Sequence, residues 1–590
     1  MTVLSAEIEK AYKEQQDQIA QCANYYYGGF NATEIAQFDS IAIAPESRPD
    51  LVKSLFDSIG EEGQANIDNA VRWGVEQYQA RNGGQLPHPS VIASALGAGL
   101  QASTINPENL SKAIAGFDSI SNLQYEQASI VPALTVATIA NVIAYALPIF
   151  ALIPNNNQSV KVPLVAMRFI TDTAFGAMGA GEYLDGENAA KPYAEGRFRF
   201  AMAKGAGNTY SVVAHTCYDD FKAKTPDTAT PLLPFWSGLV SVKINGMEVG
   251  HTRDDRLLSV DKGQISLIPN QKGVKVGNTV YKLTGSTINL DTSSISVTLD
   301  GALPAGASIE VALVANFEAR DANKKFKLNP VGVSVEAEYD SLVAAPFAMR
   351  VNASYSTQSQ LANELNLGFV GAALSIMQGK FFLEQTIRLL KEVKERAVLN
   401  GRGYFDMSRG VTGNLSAVAN TTGDLFAEVL KVIKKGKRRI RRASGGATTS
   451  FDLYVGDNGE IFFTTLSADK FTPTGVSSTY GEIVRIGTLA DGTDVYHTPN
   501  AQGVIEESDD NKTFEMLLIG KGNEPVRNPL VGHIPNPPVV REAFADTREL
   551  VMDIHGKMAA ELNPLERYAD QCAVLQVVNA PAIPFDPPAK

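Results

Sequence analysis

The chain has 590 residues, and at roughly 150 residues per domain it has room for several domains and several buried cores. Its composition, 44% hydrophobic and 20% charged with 49 glycines and 29 prolines, excludes a collagen, a coiled-coil rod and wholesale disorder. Lys and Arg total 52 against 64 Asp and Glu, a net charge of -12 that argues against a dedicated nucleic-acid binder and makes any basic patch a local feature.

Cys22, Cys217 and Cys572 are too few and too scattered for a disulfide framework, so a reducing compartment is expected. Met1 to Ile19 mixes Glu, Lys, Asp and Gln with apolar residues and lacks the layout of a signal peptide, so export by that route is not expected.

The first 120 residues read as helical with loops. Helices are expected at Ala6 to Ile19, Arg48 to Ser58 and Ile67 to Tyr78, with a break at Gly83, Gly84, Pro87 and Pro89. Tyr25, Tyr26 and Tyr27 read as a packing patch rather than a ligand platform. The uncharged stretch from Gln127 to Val160 is cut by Pro132, Pro148 and Pro154, which leaves 15 uninterrupted residues where a spanning helix needs about 20. A core helix is expected there.

From Val160 the pattern becomes extended. Val162, Leu164 and Ala166, and later Phe198, Phe200 and Met202, alternate with polar or small residues like two arms of a long hairpin. Its tip, Phe175 to Tyr193, is glycine-rich, and the Gly179 and Gly181 pair lacks the third glycine and the strand-then-helix context of a phosphate loop. From about Asn208 to Arg320 follows a β-rich block with strands near Val240 to Ile244, Gln264 to Ile268, Val280 to Leu283, Ile295 to Leu299 and Ser308 to Ala315. Turns at Asn245-Gly246, Gly277-Asn278 and Asp300-Gly301 favour a small sandwich or barrel inserted into a loop.

Val331, Val333, Val335, Ala337 and Tyr339 then alternate with Gly332, Ser334, Glu336, Glu338 and Asp340, which predicts a half-buried strand. A second strand is expected at Phe347 to Tyr355, and a long helix at Thr357 to Leu399 with a bend near Gly368, Gly371 and Gly379. Glu384 with Arg388 and Glu392 with Arg396 are placed to pair four apart. Thr421 and Asp424 start another helix that ends in Lys431, Lys434, Lys435, Lys437, Arg438, Arg439, Arg441 and Arg442. Without those eight cations the balance moves from -12 to -20. The run reads as a solvated helix end matched to the macrodipole, as a nucleic-acid contact, or as a contact with an acidic face of a neighbouring subunit. A hairpin is expected around Asp457 to Gly459, strands near Glu482 to Ile486, Asp494 to Tyr496 and Phe514 to Ile519, a helix at Arg541 to Glu561 and a strand at Cys572 to Val578.

No catalytic constellation emerges. None of His88, His215, His251, His497, His533 and His555 lies in an HExxH pattern or a nucleophile elbow. His215 and Cys217 lack two further ligands at zinc spacing. The doublets Asp219-Asp220, Asp254-Asp255 and Asp509-Asp510 read as solvated turns, and Gly520-Lys521-Gly522 lacks the rest of a P-loop. No enzyme, cofactor or metal is expected.

The order of these elements resembles the Hong Kong 97-type major capsid protein of tailed bacteriophages. Val333 to Leu342 (VSVEAEYDSL) with Pro346 resembles the strand leading to the spine helix, and Gln360 to Leu367 with Leu374 to Leu399 resembles that helix. Glu482 to Thr498 (EIVRIGTLADGTDVYHT), Leu517 to Gly522 (LLIGKG) and Thr547 to Val551 (TRELV) resemble the later axial domain and the return to the peripheral domain. Val242 to Gly246 (VKING) is similar to small β domains that larger members carry.

The resemblance implies an α+β fold. It divides the chain into a helical N-terminal arm (1–127), a peripheral domain with the spine helix (128–157, 356–401 and 539–590), an extended loop with returning strands (158–207 and 321–355), an inserted β domain (208–320) and an axial domain (402–538). It implies a non-enzymatic protein of the virion, assembled in the host cytoplasm into pentamers and hexamers of an icosahedral shell around double-stranded DNA that it holds weakly and without sequence preference. Scaffolding, portal and decoration proteins are the implied partners, with no membrane. Lys161, Asp185, Glu187, Lys191 and Arg197 are the implied inter-subunit hairpin contacts, and Lys161 and Lys191 are placed where some relatives cross-link a lysine to a neighbour's asparagine. A surface-layer or adhesin protein is the alternative, and it requires an export signal.

Overall fold

The computed structural model describes residues 2–27, 48–59, 61–103, 135–136, 138–146, 150–154, 159–216, 226, 228, 230–252, 266–321, 323–354, 369–408, 422–476, 481–508, 512–545 and 549–580. It is an α+β structure that divides into two compact units, one of Met1–Ala166 with Glu338–Lys590 and one of Met167–Ala337.

The first unit opens with helices α1 (Thr2–Tyr27), α2 (Asp50–Ile59), α3 (Glu61–Arg81) and α4 (Pro89–Ser103). Tyr25, Tyr26 and Tyr27 are buried among them, as the packing reading expected, and the Tyr27 hydroxyl donates to the Pro87 carbonyl at 2.8 Å. The long helix α5 (Phe369–Leu399) runs without a break through Gly371 and Gly379, while Gly368 lies outside the described residues. The expected bend at Gly379 is replaced by a close approach, because a Cβ at that position would lie 2.7 Å from the Tyr145 ring. Phe382, Leu389, Leu390, Val393 and Ala397 of α5 are buried at helical spacing. Its charged residues do not make the expected pairs: Glu384 meets Lys380 at 3.1 Å, Arg388 meets Glu392, and Arg396 meets Asp570 outside the helix at 2.7 Å.

A mixed seven-stranded sheet forms the centre of this unit. Its order is Arg402–Asp406, Cys572–Val578, Phe514–Gly522, Thr448–Val455, Asp494–His497, Val484–Leu489 and Phe471–Pro473. Both faces are covered, so its central strands are apolar in both phases of the pleat. Phe451, Leu453, Met516 and Leu518 face helix α6 (Thr422–Ala443) through Val429, Ile433 and Ile440. Tyr454, Leu517 and Ile519 join α5 and the N-terminal helices in the other core.

Two expectations fail here. The hairpin around Asp457 to Gly459 is a strand, Thr448–Val455, followed by helix α7 (Asp457–Thr464). Its first-turn donors are met from a distance, the Glu507 carboxylate accepting from the Asn458 and Gly459 amides at 2.7 and 3.1 Å. The helix expected at Arg541 to Glu561 is two long antiparallel strands, Leu530–Ala545 and Glu549–Leu562, in a four-stranded sheet with Phe150–Leu152 and Ala345–Ser354. Helix-favouring residues such as Ala559, Ala560 and Glu561 suggest a helix, but Ile554, Gly556, Met558 and Ala560 are buried at period two, and strand partners on both sides decide the outcome.

In the second unit Phe175, Phe198, Phe200, Val242, Val249, Ile288, Ile295, Val297, Val311 and Leu313 share one core. Two sheets flank it, one ordered 197–201, 309–314, 241–244, 247–251 and 268–269, the other 283–289, 294–299, 209–213 and 203–204. The core draws together Phe198 and Phe200 of the expected hairpin with strands of the expected β block, and the compact unit runs from Met167 to Ala337 where 208–320 was expected. The strand that bears Phe198 and Phe200 pairs with Ile309–Val314, so the sheet registers carry it into the block.

Candidate functional site

The basic run lies on the last turns of α6. The opposite side of the helix, Val429, Ile433 and Ile440, is buried on the seven-stranded sheet, which fixes the rotation of the helix. At about 100° per residue, Lys431, Lys434, Lys435, Arg438, Arg439, Arg441 and Arg442 then fall within an arc of about 160°. All seven are exposed. No acidic residue occurs between Val429 and Ala443, so from Lys431 onward the outward face carries charge of one sign.

Lys437 departs from the expected group. It is buried at 8% exposure, and its ammonium reaches Asp491 at 2.6 Å and the Thr493 hydroxyl. Burial lowers the Lys437 pKa, and the Asp491 carboxylate opposes that shift. It ties α6 to the turn before Asp494–His497 and is not part of the outward face. Arg439 donates to the Gly401 carbonyl at 3.2 Å, and the Arg441 guanidinium lies 5.2 Å from the centre of the Phe451 ring. Lys431 pairs with Glu428 one turn earlier. Lys434, Lys435 and Arg438 stand at the centre of the face.

The hairpin candidates have local partners. In the second unit, Asp185 accepts from Arg168 at 2.8 and 3.2 Å, and that guanidinium lies 3.2 Å from the centre of the Tyr183 ring. Lys191 approaches Glu182 at 3.9 Å, and Glu187 sits in the short turn Gly186–Ala190. The Arg197 amide donates to Glu195 at 3.0 Å while its side chain is exposed. Lys161, in the first unit, is exposed at the start of strand β1 (Lys161–Thr171). Asp185 thus serves to fix the Gly186–Ala190 turn.

Sequence reasoning missed a set of exposed apolar side chains on one strand pair. Strand β2 (Val333–Val343) pairs with β1 in a two-stranded sheet. Val333 and Val335 are 52% and 57% exposed, and Phe169 of β1 is 59% exposed. Further along β2, Tyr339 and Val343 are 46% and 59% exposed. The predicted strand is present, but its apolar phase is bare. The signal was available in the alternation, whose second phase, Ser334, Glu336, Glu338 and Asp340, is also polar and provides no core.

A buried charge network joins α3 to the sheet in the first unit. Arg485 donates to the Asn82 and Gly83 carbonyls at 3.0 and 3.3 Å and meets Asp494 at 2.7 Å. Behind it, Asp452 is fully buried and 2.7 Å from the Lys521 ammonium. Burial pushes the Asp452 carboxyl up to about 6 against the pull of Lys521. Lys521, read above as part of a failed phosphate-loop match, is therefore a structural cation. A cleft of about 310 Å³ lies nearby, with Arg81, Tyr145, Gly379, Lys380 and Glu482 in its wall.

The histidines do not converge. Nδ1 of His215 lies 2.6 Å from the Thr230 carbonyl, Nδ1 of His251 lies 2.8 Å from Glu248, and Nε2 of His497 lies 2.8 Å from Asp457. Cys217 and the three acidic doublets lie outside the described residues. Among the described residues no group of three or more His, Cys, Asp or Glu is arranged to hold a metal ion, and no helix is long and apolar enough to cross a membrane.

No family model and no curated protein sequence matches the chain. Solved structures similar to it include the capsid of jumbo bacteriophage PhiKZ, at 11% identity and a TM-score of 0.30 over 73% of this chain and 91% of that one. The mature capsid of bacteriophage PhiM1 is similar at 13% identity and a TM-score of 0.27 over 45% of this chain and 80% of that one. A virus-like particle from Pyrococcus furiosus is similar at 9% identity and a TM-score of 0.23 over 42% of this chain and 81% of that one.

Proposed function

We propose that the chain is the major capsid protein of a tailed phage, built on a Hong Kong 97-like plan and closing through pentamers and hexamers into an icosahedral shell around double-stranded DNA. The observation that carries this reading is the bare apolar phase of β2, with Val333 and Val335 more than half exposed, and Phe169 of its paired strand β1 more than half exposed as well. An alternating strand whose apolar phase is left exposed by the described residues gains stability when another surface covers that phase. A second copy supplies that surface in a closed symmetric assembly.

The element order supports the same plan. An extended pair of strands, a separate β-rich unit, a helix of 31 residues and a mixed sheet that receives the last described strand, Cys572–Val578, follow one another as the capsid plan requires. In this reading residues 402–538 face the capsomer axis, 128–157, 356–401 and 539–590 form the peripheral domain, 1–127 form an arm, and the β-rich unit projects from the extended loop as a clamp or decoration. Lys161, Asp185, Glu187, Lys191 and Arg197 lie at its contacts with neighbouring subunits. Scaffolding, portal and decoration proteins are its partners, the virion is its location, and no catalytic step belongs to it.

The test replaces Val335 with Asp and follows assembly by size-exclusion chromatography with light scattering. The wild-type chain is expected to form capsomers or shells, and Val335→Asp to remain a folded monomer with unchanged circular dichroism. Assembly of the variant at wild-type level would remove the observation on which the reading rests.

A further inference from the structure

Among the described residues, Lys434, Lys435 and Arg438 on the outward face of α6 pair with no carboxylate. Attraction to the helix macrodipole fades within the last turn, so it accounts for Arg441 and Arg442, and Glu428 partners Lys431, which leaves Lys434, Lys435 and Arg438 unexplained. Together with Lys431 they repel one another, because Lys431 and Lys435, Lys434 and Arg438, and Lys435 and Arg438 stand three or four residues apart on one helix. The rest of the chain is acidic, so the concentration of cations on this face is not a general basic character.

We infer that the α6 face formed by Lys434, Lys435, Arg438 and Arg442, flanked by Lys431, is a docking surface for the phosphate backbone of double-stranded DNA. Three observations favour a phosphodiester chain over a protein surface. The arc carries no aromatic or aliphatic residue, whereas the centre of a protein interface is depleted in charge and enriched in aromatic anchors. The cations span about 16 Å of straight helix, a length that meets several consecutive phosphates. The helix is held rigidly from behind by Val429, Ile433 and Ile440 and by the Lys437 to Asp491 pair, so the cations are presented together and little order is lost on contact.

The proposed contact is with phosphate and not with base edges. Contacts to phosphate carry no sequence information, so binding through them is weak, insensitive to sequence and steeply dependent on salt. The net charge of -12 on the whole chain limits its strength. The inference rests on the shell reading only for the source of the DNA, namely the packaged genome, and the binding chemistry stands apart from assembly.

The experiment uses the full-length protein and a fluorescent 30-base-pair duplex of arbitrary sequence, followed by anisotropy across a salt series, with sedimentation velocity on the same samples. One variant carries Lys434→Gln, Lys435→Gln, Arg438→Gln and Arg442→Gln. A second, with the same change of net charge, carries Lys204→Gln, Lys272→Gln, Lys275→Gln and Lys282→Gln on exposed positions of the other unit. Because the α6 substitutions are exposed and relieve like-charge repulsion, that variant is expected to fold. Wild type and the second variant are expected to bind alike, while the α6 variant loses at least tenfold in affinity at low salt and its salt slope falls by about one per cation removed.

Equal loss in both variants, or no binding by wild type at low salt, overturns the inference. So does an α6 variant that keeps DNA binding but no longer assembles, which assigns the face to a protein neighbour. A wild-type protein that binds DNA through this face yet never assembles overturns the shell reading instead and leaves the inference standing.

Discussion

Strands Phe514–Gly522 and β2 (Val333–Val343) are of similar length and opposite fate. In Phe514–Gly522 the first seven residues are all buried, since Met516 and Leu518 face α6 and Leu517 and Ile519 face α5 and the N-terminal helices. In β2 only Leu342 is buried, although Val333, Val335 and Tyr339 alternate with polar residues in the manner of a sheet packed on one side. The difference teaches that alternation specifies a strand and a candidate face, while burial requires a second surface that the described residues do not supply for β2.

The largest effects are expected where that second surface is present. Leu518→Ala opens a cavity between the sheet and α6 and is expected to cost about 2–5 kcal/mol, read as a lower unfolding temperature and faster proteolysis of the first unit. Val335→Ala in β2 is expected to change the unfolding of the isolated chain by less than about 0.5 kcal/mol and to weaken assembly. Equal losses of stability in the two variants would erase the contrast.

His533 sharpens the comparison with a polar group in a buried strand. It is fully buried in Leu530–Ala545, and burial lowers its pKa from 6.5 to about 4, with the backbone at Val160 and Ser159 pulling the other way. The unfolded chain therefore takes up this proton first as pH falls. The contribution of neutral His533 is fully present above pH 6.5 and is lost progressively toward pH 4, on the order of 3 kcal/mol across that window. Unfolding midpoints measured between pH 7 and 4 are expected to fall steeply for wild type and less for His533→Phe; parallel profiles would assign the acid sensitivity elsewhere.

Smaller effects follow at the contacts of α5. Gly379→Ala places a methyl 2.7 Å from the Tyr145 ring and is expected to destabilise by about 1–3 kcal/mol in thermal melts, despite the better helix propensity of alanine. A stabilised variant would show that the ring moves aside freely. Glu392→Ala breaks a largely solvated pair with Arg388 and is expected to cost no more than about 0.5 kcal/mol, with the difference vanishing at high salt.

Much of the local structure was legible. Asn245-Gly246 forms the two-residue turn between Ser241–Ile244 and Met247–His251, with both residues at positive φ, 49° and 81°, as that dipeptide favours. The helix expected to end in the basic run is present as α6, and the burial of Val429, Ile433 and Ile440 fixes which side of it faces outward. What escaped depended on residues distant in sequence. Glu507 meets the start of α7 from about fifty positions away, Asp491 draws Lys437 out of the basic group, and the partners on both sides of Glu549–Leu562 overrule its helix-favouring end. The hairpin candidates were legible as charges but not as pairs, since Asp185 is committed to Arg168 within its own unit.

The most direct measurement is sedimentation velocity on the wild-type chain, alone and with its candidate scaffolding partner, with negative-stain microscopy of each peak. The account predicts rings of five and six subunits or closed icosahedral shells, with Val335→Asp shifted to monomer under the same conditions. A wild-type chain that stays a compact monomer in both samples, with Val333, Val335 and Phe169 still accessible, would contradict it.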